Sequence, residues 1–192
     1  MLSNIATETK NAVTTAISGA GDVVAALRGA VTSNVKGAVD DVKSMSLAPL
    51  DAASEVVKSA SEVVKGAIMA ASSTGASAID ATATVVKSAI AALSQTGDGA
   101  IAASRSVVRG AILGAAEVGG DVGKTAVTAV TSAVEAAGKL GADATRTTKM
   151  ALSGAIQAAD ELGGQARGAI TTALKGAAAI PKELLNTVIG KG

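Results

Sequence analysis

Val86-Lys87-Ser88-Ala89-Ile90 returns twenty-two residues later as Val108-Arg109-Gly110-Ala111-Ile112, and this echo decides the fold. Stepping outward from Ile90 by eleven gives Val13, Val24, Val35, Ser46, Val57, Ile68, Ile79, Ile101, Ile112, Gly123, Val134, Thr145, Ile156, Arg167 and Ala178. With Ile90 itself, eleven of the sixteen positions are Val or Ile, too many for chance. A second series has a doubled period: Val64, Val86, Val108, Val130, Leu152 and Leu174 alternate with Gly75, Gly97, Gly119, Gly141 and Gly163. A third runs by eleven from Ala67 to Ala177 and is Ala everywhere except Val122, passing through Ala89, Ala111, Ala133 and Ala155. The unit is therefore 22 residues long.

Eleven residues complete three turns at about 3.67 residues per turn, so a helix keeps these columns on one face with little drift. Strand is excluded, because alternation with a period of two is nowhere sustained. On the helical wheel the Ala column lies at the centre of a broad apolar arc. The Val/Ile column marks one flank, and Val85, Val107, Leu140 and Leu162 mark the other. Lys43, Lys65, Lys87, Arg109 and Lys175 share one polar column at multiples of 22. Their stems can lie along the apolar border while the charges reach water.

The expected fold is all-α, built from 22-residue amphipathic repeats. Two arrangements satisfy the pattern: short antiparallel helices joined by Gly turns, or long near-continuous helices. Gly75-Ala76-Ser77, Gly97-Asp98, Gly119-Gly120-Asp121 and Gly141-Ala142-Asp143 place a helix-ending Gly before a helix-starting Ser or Asp, which favours the first. Equal repeat lengths would hold the apolar columns in phase under either arrangement. The prolines divide the chain into an N-terminal helical arm (1–48), a repeat array (49–180) and a C-terminal tail (181–192), with Pro49 and Pro181 disfavouring helix at the residue before them.

The chain of 192 residues has no Phe, Tyr, Trp, Cys or His. Any core must be assembled from Ala, Val, Ile, Leu and Met, which suits helices in close approach. Without Cys or His there is no thiolate nucleophile, imidazole base, zinc site or disulfide framework. Seventeen basic against sixteen acidic residues, with no aromatic stacking groups, argues against nucleic acid. No apolar run approaches the roughly 18–20 residues of a membrane span. The opening MLSNIATETK lacks the basic start and apolar block of a secretory signal, so a cytoplasmic or surface-associated location is expected by default.

Three patterns imitate chemistry. Gly119-Gly120-Asp121-Val122-Gly123-Lys124-Thr125 looks like a phosphate-binding loop, but Val118 stands where the pattern needs Gly and no strand precedes it. Gly97-Asp98-Gly99-Ala100-Ile101-Ala102 imitates a dinucleotide fingerprint and again follows a helix. Asp40-Asp41 and Asp160-Glu161 lie in charged stretches expected to be solvated. The expectation is a non-enzyme without catalytic, cofactor-binding or metal-binding residues.

An eleven-residue amphipathic period with few aromatics resembles the synuclein, perilipin, apolipoprotein and late-embryogenesis-abundant types of helix, in period and composition only, from Val13 to Ala178. The resemblance carries over no site residue. It implies a protein that coats a lipid or other hydrophobic surface, as a helix with a broad apolar arc and a lysine border can. The alternative partner is the chain itself: small residues at the centre of the arc let helix backbones approach, giving a self-assembling scaffold. Ice binding or stress protection is a third possibility, but Thr74 with Thr96 and Thr125 with Thr147 do not make a sustained Thr column. The face that would meet either a surface or a neighbouring helix comprises Val64, Ala67, Ile68, Ile79, Val86, Ala89, Ile90, Ile101, Val108, Ala111, Ile112, Val130, Ala133, Val134, Leu152, Ala155 and Ile156.

Overall fold

A computed structural model describes residues 2–18, 23–44, 49–94 and 97–189. Among them the chain is all helix: α1 (Leu2–Ser18), α2 (Val23–Ser44), α3 (Pro49–Ser73), α4 (Ala78–Leu93), α5 (Gly97–Glu117), α6 (Val122–Gly138), α7 (Ala144–Leu162), α8 (Gly164–Gly176) and α9 (Lys182–Ile189). The longest, α3, has 25 residues, so long near-continuous helices do not describe the chain.

The breaks have local causes. At the end of α5 the Gly119 backbone takes φ +69°, a conformation that glycine enters without a Cβ penalty. The Gly120 N–H then reaches back to the Ala115 carbonyl (2.8 Å) and the Gly119 N–H to that of Ala116 (3.1 Å), closing a Schellman turn. The same pair of bonds ends α3 at Gly75 and α6 at Gly141. Restarting is equally local: the Asp121 carboxylate accepts from the Lys124 N–H (2.9 Å), Asp143 accepts from Arg146 (2.7 Å), and Ser77 accepts from Ile79 (3.2 Å). Pro49 opens α3, where a missing N–H costs nothing. Ser46 and residue 48, which the proline was expected to disfavour as helix, lie outside the described residues.

Each helix packs on those one and two places along the chain, and on no others among the described residues. The odd-numbered helices thereby form one layer and the even-numbered helices a second. Within a layer neighbouring helices run in the same direction: Asp98 near the start of α5 meets Arg146 near the start of α7, and Arg109 further along meets Glu161 further along. The segment 1–48 supplies α1 and α2, which pack on α3 and α4; the segment after Pro181 is not a bare tail but carries α9, whose Leu185 is buried where α9 packs on α7 and α8.

The core lies between the layers and is made of Ala, Val, Ile and Leu. Some hydroxyls buried with them are satisfied within their own helix: Thr82 donates to the Ala78 carbonyl (2.6 Å) and Ser104 to that of Ala100 (2.7 Å), whereas the Ser94 and Thr125 hydroxyls find no partner among the described residues. Such back-bonding lets a polar side chain sit in an apolar seam at little cost.

Candidate functional site

Of the seventeen residues assigned to the candidate face, fourteen are buried, including all of Ala67, Ala89, Ala111, Ala133 and Ala155. Ile79, Val134 and Ile156 are half-buried. On the opposite flank Val85 and Val107 are also buried, whereas Leu140 and Leu162 are half-buried. The face is thus brought together, and its occupant in this fold is the neighbouring helices of the same chain.

The closest approaches lie in the odd layer. A Cβ on Gly110 would collide with the Ser61 carbonyl oxygen of α3, and one on Gly154 with the Arg105 carbonyl oxygen of α5. A Cβ on Gly114 would come within 2.8 Å of the Lys65 carbonyl oxygen. At these points one helix rests directly on the backbone of the next, which only glycine permits. Close approach through small residues was expected from the sequence, but at the Ala column; the glycine column that carries it here was not singled out. Its signal was available, since Gly66, Gly110 and Gly154 stand 44 residues apart with Ser88 and Ser132 between them.

The border cations do more than reach water. Lys65 of α3 pairs with Glu117 of α5 (2.8 Å), Lys87 of α4 with Glu135 of α6 (2.7 Å), and Arg109 of α5 with Glu161 of α7 (2.6 Å). Each pair links a helix to the next one in its own layer. Arg109 is the strongest of these clips: Nε and Nη2 each donate to one oxygen of the Glu161 carboxylate, both at 2.6 Å, and Nη1 donates to the Ser61 hydroxyl (2.9 Å). One side chain thereby joins α3, α5 and α7. Lys175 is exposed, and the Lys43 side chain lies outside those described. Sequence reasoning named the cations without their carboxylates, because the partners lie about fifty residues away on another helix.

The even layer carries an open groove of about 430 Å³ across α2, α4 and α6. Arg28, Thr32 and Lys36 line it from α2; Lys87, Ser88, Ala91 and Ala92 from α4; Ala136, Lys139 and Leu140 from α6. Glu135 bridges two of its lysines, accepting from Lys87 at 2.7 Å and from Lys139 at 3.3 Å. Hydrogen bonding from Lys87 and then Lys139, with the attraction of both charges, holds the Glu135 carboxyl below the usual glutamate range.

The imitated motifs resolve into helix ends. Gly119 to Asp121 form the α5–α6 turn and Val122 to Thr125 the first turn of α6, where Lys124 Nζ lies 3.4 Å from Asp121, the residue that caps the helix. Asp121 is held below the usual aspartate range chiefly by the Lys124 backbone N–H, an effect that its slight desolvation opposes. Gly97 and Asp98 begin α5, and Asp98 pairs with Arg146 (3.1 Å). In the acidic pair Asp160-Glu161, Asp160 meets Arg167 (3.2 Å) and Glu161 meets Arg109. Asp40 is exposed, and the Asp41 side chain lies outside those described. Among the described residues no three His, Cys, Asp or Glu converge as a metal site, and no helix is long and apolar enough to cross a membrane.

Comparison with known proteins adds no family: no family model matches the chain, and no curated protein matches it significantly.

Proposed function

We propose that the chain is a non-enzymatic structural scaffold packed through Ala/Gly helix seams, its building block a 44-residue hairpin of two 22-residue units. The observation that carries this reading is the fate of the apolar face. Seven members of its central Ala column, Ala67, Ala78, Ala89, Ala100, Ala111, Ala133 and Ala155, are buried in seams within the chain, while Val122, Ala166 and Ala177 are half-buried and Ala144 is exposed. Among the described residues, Val24 and Val118 are the only large apolar side chains left exposed. A face spent on internal contacts favours a role that uses the packed array itself. Small residues at the centre, where a lipid-facing helix gains most from bulk, point the same way. Assembly with further copies has a place to start at α8, the last helix of the even layer. There Gly168 and Gly176 are exposed, and an added Cβ would meet nothing.

Coating a lipid or other hydrophobic surface remains the competing use of the same face, and it requires the seams to open. One pair of variants gives the two roles opposite signs. In a packed scaffold, Ala89→Leu and Ala111→Leu overpack fully buried sites and cost about 1–3 kcal/mol each. Thermal melting in plain buffer should then be cooperative and fall in temperature for both variants. On a soft apolar surface the same changes add buried methylenes, each contributing about 0.8 kcal/mol. Stronger vesicle binding with an unchanged melt would overturn the scaffold reading. Sedimentation at rising concentration tests self-association.

A further inference from the structure

Beyond the scaffold role, we propose that the groove across α2, α4 and α6 is a binding site for a phosphate monoester bearing a short aliphatic chain. Three features of the groove converge on that chemistry.

Its volume, about 430 Å³, lies in the range of small-molecule sites, about 300–1,000 Å³. Its charge is one-sided: among the described residues Arg28, Lys36, Lys87 and Lys139 line it, and Glu135 is the carboxylate that meets two of them. Four cations and one anion leave an excess of three in a chain whose formal net charge is only +1. Arg28 and Lys36 are exposed and make no ion pair among the described residues, so their charge is available to a ligand. A dianionic head answers that excess better than a monoanionic carboxylate does, and an arginine fork suits phosphate oxygens.

Much of the remaining lining is apolar. Ala91, Ala92 and Ala136, with Leu140 at one side, offer a floor for a few methylenes. The chain has no aromatic side chain to stack on a base, which turns the choice from nucleotides toward aliphatic esters. The Thr32 and Ser88 hydroxyls supply neutral donors beside the cations. Glu135 tethers Lys87 and Lys139, so it competes with an incoming anion for both.

Calorimetric titration with octyl phosphate, below its micelle-forming concentration, tests the proposal. Inorganic phosphate, octanoate and vesicles of phosphatidic acid serve as separate arms. We expect one octyl phosphate per chain, bound at least tenfold more tightly than inorganic phosphate or octanoate. Arg28→Gln with Lys36→Gln, both on exposed positions, should weaken binding at least tenfold while helicity and melting hold. Glu135→Gln should strengthen it several-fold by releasing the two lysines. Equal binding of inorganic phosphate would reduce the site to a bare anion patch and overturn the proposal. So would affinity for vesicles alone, or affinity indifferent to Arg28 and Lys36. Because the folded array is monitored in the same samples, failure here is distinguishable from failure of the scaffold reading.

Discussion

The two layers are written in nearly the same sequence pattern, yet they pack differently. In the odd layer Gly110 and Gly154 set one helix on the backbone of the next, and Arg109 clips three helices together. In the even layer the corresponding positions are Ser88 and Ser132, and the layer carries an open groove beside which Glu135 pairs with Lys87 of the neighbouring helix and Lys139 of its own. A Cβ and a hydroxyl per seam separate a zipped layer from one with room for a ligand. Close approach is thus controlled by one column, independent of the Ala and Val/Ile columns that fill the space between the layers.

The largest effect should come from breaking the zipped layer. Gly110→Ala and Gly154→Ala each aim a methyl at a backbone carbonyl and should destabilise by about 1–3 kcal/mol in urea denaturation, despite the gain in helix propensity. Gly29→Ala and Gly37→Ala, in α2 where an added Cβ meets nothing, should instead stabilise by about 0.5–1 kcal/mol. Stabilisation at Gly110 would dissolve the distinction between the layers.

The ion pairs sharpen the contrast. Arg109 and Glu161 are 24% and 37% exposed and doubly hydrogen-bonded to each other, whereas Lys87 and Glu135 are 38% and 51% exposed and joined by one contact, with Glu135 shared by Lys139. Arg109→Gln should cost about 1 kcal/mol and Lys87→Gln no more than about 0.5 kcal/mol, since exposed pairs contribute little. Equal losses in thermal melts would show that the arginine clip adds nothing to its layer.

The smallest effect is acidic. Glu135 and Asp121 both have depressed folded-state values, so their stabilisation is present above the unfolded carboxyl range, about pH 4, and disappears as pH falls through the lower folded values. Melting temperature should therefore hold from pH 7 to about 5 and decline below that. Glu135→Gln should make the decline shallower, and an identical acid limb in that variant would assign the loss to other carboxylates.

Much of this architecture was legible in the columns. Ala67, Ala89 and Ile90 are buried because an eleven-residue period fixes which side of a helix they occupy, whichever helix they meet. The Gly-then-Asp pairs at 119–121 and 141–143 were readable because a turn and a cap are settled by neighbours in sequence. What the columns did not carry was partnership. Glu117 and Glu161 gave no sign of being the partners of Lys65 and Arg109, because those contacts depend on the stacking of alternate helices. The groove escaped for the same reason: Arg28, Lys87 and Lys139 become neighbours only when α2, α4 and α6 lie side by side.

That stacking rule, each helix touching, among the described residues, only those one or two places along, makes the described array a one-dimensional chain of local interfaces. Ion pairs between layer neighbours span 48 to 52 residues, and among the described residues no helix contact joins the first helices to the last. Loop closure is therefore never long, and ordering can begin at any hairpin and spread in either direction. Length then becomes an adjustable quantity. A hairpin added or lost at one end changes one interface and leaves every other contact in place, so the reach of such an array is set by counting units and needs no redesign of its core.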